Sequence, residues 1–222
     1  GVDCSEATET FTITVNPDAQ VDDPVDLVLC NDEVQSEINF NTQNTGGTTT
    51  YAWSIDASIG LSPTSGTGSI PSFTAVNSGT SPIVATVSVT STFSNAGVDC
   101  SEATETFTIT VNPEPSMDTV LNQTICGGTA FVTPLYNSNI SGVSYSWELT
   151  SANIPAEITG YPTPNGTGEL AGVVIQNSGD TSFTLNYNLS VFYDGCIGNT
   201  VPFSVTVDPA PSVDFSISDQ TV

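Results

Sequence analysis

Two kinds of side chain in this sequence could do chemistry: five cysteines, and a set of 24 aspartates and glutamates. The cysteines fall in two series. Cys4, Cys100 and Cys196 are separated by a constant step of 96 residues, and Cys30 and Cys126 by the same step. Cys30 to Cys100 is 70 residues, as is Cys126 to Cys196. This spacing predicts one disulfide per repeat, Cys30–Cys100 and Cys126–Cys196, with Cys4 unpaired because its partner would lie outside the chain. A rival pairing, Cys4–Cys30 and Cys100–Cys126, fits the arithmetic equally, each pair being 26 residues apart. In a Greek-key sandwich the loop before the last strand is expected at the same end as the first strand, which favours the bond within a repeat. Cys4 would then lie about a domain length from Cys30, beyond the ~7 Å Cα separation a disulfide allows. Closing a loop of about 70 residues is worth about 4 kcal/mol in the chain-entropy account. Disulfides indicate an oxidising, extracytoplasmic setting; the alternative is five buried free thiols.

The carboxylates offer two further chemistries. Asp22, Asp118 and Asp214 recur five residues after Pro17, Pro113 and Pro209. With Asp23 they are candidate Ca²⁺ ligands at the junctions between repeats, since Ca²⁺ takes six to eight oxygens, several from carboxylates. Against this, the first junction carries Asp18, Asp22, Asp23 and Asp26 while the second has only Glu114 and Asp118, and no Asp-x-Asp-x-Asp-Gly loop occurs. Solvated linker charge is the plainer reading, and no cofactor other than this calcium is expected. Glu6 with Glu9, and Glu102 with Glu105, are carboxylate pairs that could in principle cleave glycosides. Their verbatim recurrence in a structural repeat reads instead as a solvated strand edge, so no catalytic residue is assigned.

Composition removes most other activities. The chain has 222 residues, no Lys, Arg or His, and a formal net charge of −24. Without cations there is no counterion release on nucleic acid, and an anionic membrane surface repels the chain. Without His there is no Ser-His-Asp or Cys-His pair; without Lys there is no Schiff base and no phosphate-loop lysine. Gly166-Thr167-Gly168, lacking any cation nearby in sequence, reads as a turn. The apolar fraction of 37% suffices for a core, and no apolar run approaches the ~20 residues of a membrane helix.

The elements that must position these residues follow from a long repeat. GVDCSEATETFTITVNP at positions 1–17 returns unchanged at 97–113, and an altered copy, GCIGNTVPFSVTVDP, occupies 195–209. A period of 96 is the size of a small domain, not a solenoid unit. The chain therefore reads as a window on a tandem array: the closing strand of one repeat at 1–17, complete repeats at 18–113 and 114–209, and the start of another at 210–222. Phe11, Ile13 and Val15 alternate with threonines, predicting a strand with one buried face, stopped by Asn16-Pro17. Ile83, Ala85, Val87 and Val89 alternate likewise, as do Phe183, Leu185, Tyr187, Leu189 and Val191. Tyr51-Ala52-Trp53 and Tyr145-Ser146-Trp147 place Tyr51, Trp53, Tyr145 and Trp147 on the inner faces of central strands. Gly66-Thr67-Gly68 and Asn77-Ser78-Gly79 are turns, each with a second-repeat counterpart. About seven short strands per repeat, no helical spacing and a Cys…Trp…Cys order predict all-β Greek-key sandwiches, end to end.

The closing TFTITVNP (Thr10–Pro17, Thr106–Pro113) and the Pro-x-x-x-x-Asp junction resemble the Ig-like or PKD-like repeats of giant surface adhesins of Bacteroidota. So do Asn122-Gln123-Thr124-Ile125-Cys126, Asp219-Gln220-Thr221-Val222, the Tyr-x-Trp pair and the run from Ser65 to Gly68 followed by Phe73-Thr74-Ala75. Within that group the chain is most similar to the flavobacterial gliding-motility adhesin type, exported by type IX secretion. The resemblance implies spacer repeats of a long extracellular filament at the cell surface, used for attachment or gliding. Alternatives are a self-assembling filament or surface-layer subunit and a carbohydrate-binding module. The partners implied are neighbouring repeats, other copies of the filament and surface polysaccharide, for which Tyr161 and Tyr193 are the surface aromatics. Asn122, Asn139, Asn165 and Asn188 stand in Asn-x-Ser/Thr sequons. Asp118-Thr119-Val120 resembles the O-glycosylation motif of Bacteroidota, which makes Thr119 a further candidate.

Overall fold

The alternating segments of this sequence can bury one face only by stacking two sheets, and that is how the chain folds. The structure, a computed structural model, describes residues 1, 8–101 and 104–211. The chain forms two compact units, one of Gly1–Val76 and Ile83–Val111, the other of Asn77–Pro82 and Asn112–Val222. Among the described residues there are strands and no helix.

The first unit contains β1 (Leu27–Cys30), β2 (Val34–Gln35), β3 (Thr48–Ile55), β4 (Ser65–Thr67), β5 (Phe73–Thr74), β6 (Ile83–Asn95), β7 (Val98–Ser101) and β8 (Glu105–Asn112). Its main sheet has the order β1-β8-β6-β3-β4, with β7 also pairing β6, and β2 and β5 form the second layer. Period two fixes which face is buried. Ala85, Val87 and Val89 of β6 are fully buried, while Val84 between them is 57% exposed. Trp53, Ile55, Phe107, Ile109 and Val111 join this core with Ile59, Leu61, Ile70 and Phe73 from the other layer.

The second unit repeats the plan with β9 (Gln123–Cys126), β10 (Thr129–Ala130), β11 (Ser144–Leu149), β12 (Ile158–Thr159), β13 (Asn165–Thr167), β14 (Val174–Asn177), β15 (Phe183–Tyr193) and β16 (Cys196–Asp208). The main sheet runs β13-β11-β15-β16-β9 and the second layer β10-β14-β12. β9 pairs β16 in parallel, Gln123 opposite Val205 and Cys126 opposite Asp208; the pairs of β15 with β11 and with β16 are antiparallel. Leu185, Tyr187, Leu189 and Val191 meet Phe203, Val205 and Val207 in the core.

Both long hairpins close on two residues with positive φ: Ala96 (51°) and Gly97 (78°), and Asp194 (44°) and Gly195 (85°). This primed-turn geometry matches the right-handed twist of the flanking strands. The predicted strand at Phe11–Val15 does not form. Phe11, Ile13 and Val15 are 85%, 75% and 86% exposed, although the identical Phe107, Ile109 and Val111 are buried in β8. In β8 the same residues lie between β1 and β6. Residues 8–17 have no strand beside them among the described residues, and an isolated strand cannot hold its ladder or cover its apolar face.

The Gly-Thr-Gly segments, read as turns, supply short edge strands. Gly66 lies opposite Trp53 and Gly166 opposite Trp147. A Cβ on Gly166 would stand 2.4 Å from Cζ2 of Trp147, and one on Gly66 2.7 Å from Cζ2 of Trp53. The indole packs directly against the glycine, and the next glycine donates its N–H to Tyr51 O (2.9 Å) or Tyr145 O (2.7 Å). Gly166→Ala should therefore destabilise the second unit by about 1–3 kcal/mol through overpacking. Thr167→Ala, at an exposed neighbour, should stay within about 0.5 kcal/mol of the parent. Urea unfolding followed by tryptophan fluorescence checks both.

Candidate functional site

The cysteines take positions that the parallel first strand dictates. Cys126 ends β9 opposite Asp208, at the downstream end of β16, whereas Cys196 begins β16 opposite Tyr193. Twelve residues of extended strand separate these levels, about 40 Å at ~3.3 Å per residue, against the ~7 Å a disulfide tolerates. Cys126–Cys196 is therefore not formed, and Cys126 is an exposed free thiol. The first unit behaves alike. The Asp26 carboxylate accepts the Thr108 N–H (2.7 Å) as Asn122 Oδ1 accepts that of Ser204 (2.9 Å). The Asp32 N–H donates to Ala75 O as the Gly128 N–H donates to Ile175 O, both at 2.8 Å. Cys30 thus takes the place of Cys126 at the downstream end, while Cys100 on β7 faces Phe93 near the hairpin, as Cys196 faces Tyr193. Cys30–Cys100 is not formed either: Cys100 is a free, half-buried thiol. Cys30 and Cys196 are each disulfide-bonded. The expected pairing fails because the first strand lies against the far end of the last, Gln123 to Cys126 opposite Val205 to Asp208, away from the loop that precedes it. Cys4 lies outside the described residues.

The junction carboxylates form no metal cage among the described residues. Among the described residues no three His, Cys, Asp or Glu side chains gather closely enough to hold an ion; Asp214, with Glu6 and Glu102, lies outside them. Asp22 and Asp118 instead hold equivalent backbone positions, their N–H groups donating to Asn41 O (2.8 Å) and Asn137 O (3.1 Å). Asp22 also accepts the Gln43 amide at 2.9 Å. Asp22 and Asp23 edge a cleft of about 340 Å³ with Leu27, Ile38, Phe40 and Phe107. Glu9 is exposed and Glu105 half-buried at the start of β8.

Several carboxylates act as acceptors. Asp56 accepts the Thr86 N–H (2.7 Å), Glu33 the Cys30 N–H (2.8 Å), Asp208 the Ser182 hydroxyl (2.6 Å), and Glu37 a short bond from Ser69. At Asp26 the Thr108 N–H holds the carboxyl below its usual range. Burial raises the Tyr187, Tyr136, Tyr145 and Tyr51 hydroxyls.

Of the candidate aromatics, Trp53 is buried in the first core, with Tyr51 half-buried against it. Trp147, Tyr145 and Tyr161 are half-buried against the second. Tyr136–Tyr145 is tilted at 58° and Trp147–Tyr187 is edge-on at 74°. Tyr193 is half-buried opposite Cys196. Among the sequon residues, Asn122, Asn139 and Asn165 are exposed, as is Thr119; Asn188 is half-buried in β15. Asn122 and Asn139 use Oδ1 to accept the N–H of Ser204 and of Ser116 (2.7 Å).

Two roles escaped the sequence reading. Asn177, 2% exposed, accepts the Gly179 N–H (3.0 Å) and donates to Thr181 O (3.0 Å) and Val207 O (2.8 Å), tying its turn to β16. Asn16 and Asn112, read only as strand stops, reach hairpin turns: Asn16 donates to Asn95 O (3.3 Å), and Asn112 to the Asp194 carboxylate (3.2 Å). Met117 and Asn199 then exchange two bonds, the Met117 N–H donating at 2.7 Å and the Asn199 amide at 2.9 Å. The recurrence of Asn-Pro at one step was the available signal.

Each unit is a two-layer β-sandwich, and the second carries the family match. Residues 123–211 match the family described as PKD-like domain. Among solved structures the chain is similar to an I-band fragment of titin, at 10% identity over 88% of this chain and 67% of that one, TM-score 0.47. It is also similar to extracellular cadherin domains of protocadherin gamma B2, at 12% identity over 88% and 52%, TM-score 0.45. A third is human protocadherin-24 EC1-2, at 17% identity over 90% and 100%, TM-score 0.42. Such identities concern the fold alone. A search of curated proteins returns no match in sequence.

Asp26 gives a pH test. Its folded value lies below the unfolded one, so its contribution is present above about pH 4 and is lost as pH falls through the folded value. Carbon-detected NMR titration should place Asp26 below the ordinary aspartate value. Asp26→Asn, which imitates Asn122, should keep the bond to Thr108 and remove this part of the acid sensitivity. An Asp26 that titrates at or above the ordinary value would contradict the assignment.

Proposed function

We propose that the chain consists of structural spacer repeats of an extracellular filamentous adhesin, of the kind found on Bacteroidota cell surfaces and used in attachment or gliding, with type IX secretion as its export route. The observation that carries this reading is the return of a whole sandwich at a 96-residue step, down to the bonds of Asp26 and Asn122. Disulfide-bonded Cys30 and Cys196 favour an oxidising, extracellular location, and no helix among the described residues is long and apolar enough to cross a membrane. The chain is proposed to be non-enzymatic, its carboxylates serving as acceptors for amides and hydroxyls. Its partners are then neighbouring repeats, other copies and surface polysaccharide. Among the described residues, calcium at Asp22, Asp23 and Asp118 has no support from a gathered cluster, and a glycan-binding module none from a coplanar exposed aromatic pair; Asp214 lies outside them.

A charge of −24 without cations keeps such a filament soluble and self-repelling. Electron microscopy of the native array should show single-file beads; sheets of laterally packed chains would favour the surface-layer alternative. The same repulsion predicts that Tm rises between about 0.01 M and about 0.15 M NaCl, as the Debye length shrinks from ~30 Å to ~8 Å. A Tm that falls with salt would require attractive ion pairs that this composition cannot form.

A further inference from the structure

We propose that the cleft beside Gln35 in the first sandwich binds a small aromatic cation, an arylalkylammonium. The inference does not depend on the filament reading. It comes from a difference between the two sandwiches at one corner of the core. Asp22 and Asp118 hold equivalent backbone positions, as do Asp32 and Gly128. At the same 96-residue step Gln35 corresponds to Phe131, Phe40 to Tyr136 and Phe107 to Phe203. In the second sandwich Phe131 is 2% exposed, and its ring centre lies 6.1 Å from that of Phe203 at a 48° tilt. An aromatic ring fills this corner there.

In the first sandwich the half-buried Gln35 brings no ring. Phe73 stands opposite it and is buried in the core, yet a cleft of about 340 Å³ remains against Leu27, Ile38, Phe40 and Phe107. That volume is at the small end of ligand pockets, so it suits one small molecule. A ligand ring lying there repeats the contact that Phe131 makes with Phe203, now with Phe107. Tilted ring pairs of this kind add to the gain from area burial alone.

The rim sets the charge of the occupant. Asp22, Asp23 and Glu37 line this cleft, where the second sandwich has Asp118, Thr119 and Thr133. Asp22 accepts the Gln43 amide and Glu37 the Ser69 hydroxyl, and each carboxylate keeps lone pairs for a further donor. Such a rim repels an anion and attracts a cation. The carboxylates do not gather closely enough to hold a metal ion. An ammonium on an apolar body meets both features, its N–H groups at the rim and its ring on the floor.

The test titrates the full, isotope-labelled chain with 2-phenylethylammonium chloride at constant ionic strength and follows it by NMR. Saturable shifts should appear at Leu27, Ile38 and Phe107, and none at Phe203. Butylammonium, which lacks the ring, should bind about tenfold more weakly. The neutral 2-phenylethanol should bind about fivefold more weakly, and 3-phenylpropionate should not bind. Gln35→Phe, which installs the ring of the second sandwich, should abolish binding while keeping the parent's tryptophan fluorescence. Asp23→Asn combined with Glu37→Gln should erase the preference for the ammonium over the alcohol. Shifts that never saturate and spread over the acidic surface would overturn the proposal, as would equal affinity for butylammonium. A folded Gln35→Phe that binds like the parent would do the same. The ligand series reads the parent chain alone, so it decides the matter even where Gln35→Phe fails to fold.

Discussion

The pairing on which the rest of this architecture depends is the parallel one between the first strand of a sandwich and its last. β9 runs alongside the end of β16 in the same direction, and the segment leading into it bonds near the start of β16, Met117 to Asn199. The chain then needs the whole length of the sheet before it leaves. Every functional position follows from that. The turn held by Asn177, the end of β9 and the end of β16 gather at the downstream end, with Asn177 bound to Val207 and Gly127 to Asp208. The hairpin at Asp194-Gly195, the start of β16 and the arriving segment at Asn112–Met117 gather at the upstream end. A cysteine at the close of the first strand and another at the start of the last are thereby kept at opposite ends.

The sequence TFTITVNP occurs twice with two fates. At Thr106–Pro113 it forms most of β8, its apolar residues buried; at Thr10–Pro17 the same apolar residues are exposed. Period-two alternation states which residues share a face, but strand propensity is largely the energy of fitting against neighbours. At 106–113 those neighbours are β1 and β6. The repeat thus carries the information for a strand, and the sheet supplies its stability.

That distinction also sets how much was legible in advance. The all-β class, the buried faces of β6 and β15 and the aromatic strands centred on Trp53 and Trp147 followed from alternation and β-branched content alone. Cysteine pairing did not, because constant spacing is compatible with several connectivities and only the direction of the first strand selects among them. The shared backbone positions of Asp22 and Asp118, opposite Asn41 and Asn137, were not legible either, because spacing alone does not name the partner of an N–H. The role of Asn112 was hidden because a strand-ending Asn-Pro explains itself locally, and its partner lies 82 residues away.

The carboxylates show how a fold accommodates charge of one sign. With no cationic side chain, Coulomb attraction cannot offset the repulsion among acids, and the remaining favourable interaction is the charge-assisted hydrogen bond, shorter and stronger than a neutral one. The bonds to Asp26, Asp56 and Glu33 come from backbone N–H groups at 2.7–2.8 Å. At the first of these sites the second unit substitutes a neutral amide, Asn122, at 2.9 Å. The exchange of Asp for Asn at one structural position separates the geometric requirement, an oxygen facing that N–H, from the charge. Geometry is retained in both sandwiches and charge in only one, so the acidic character of this chain belongs to its surface and its solubility rather than to the register of its strands.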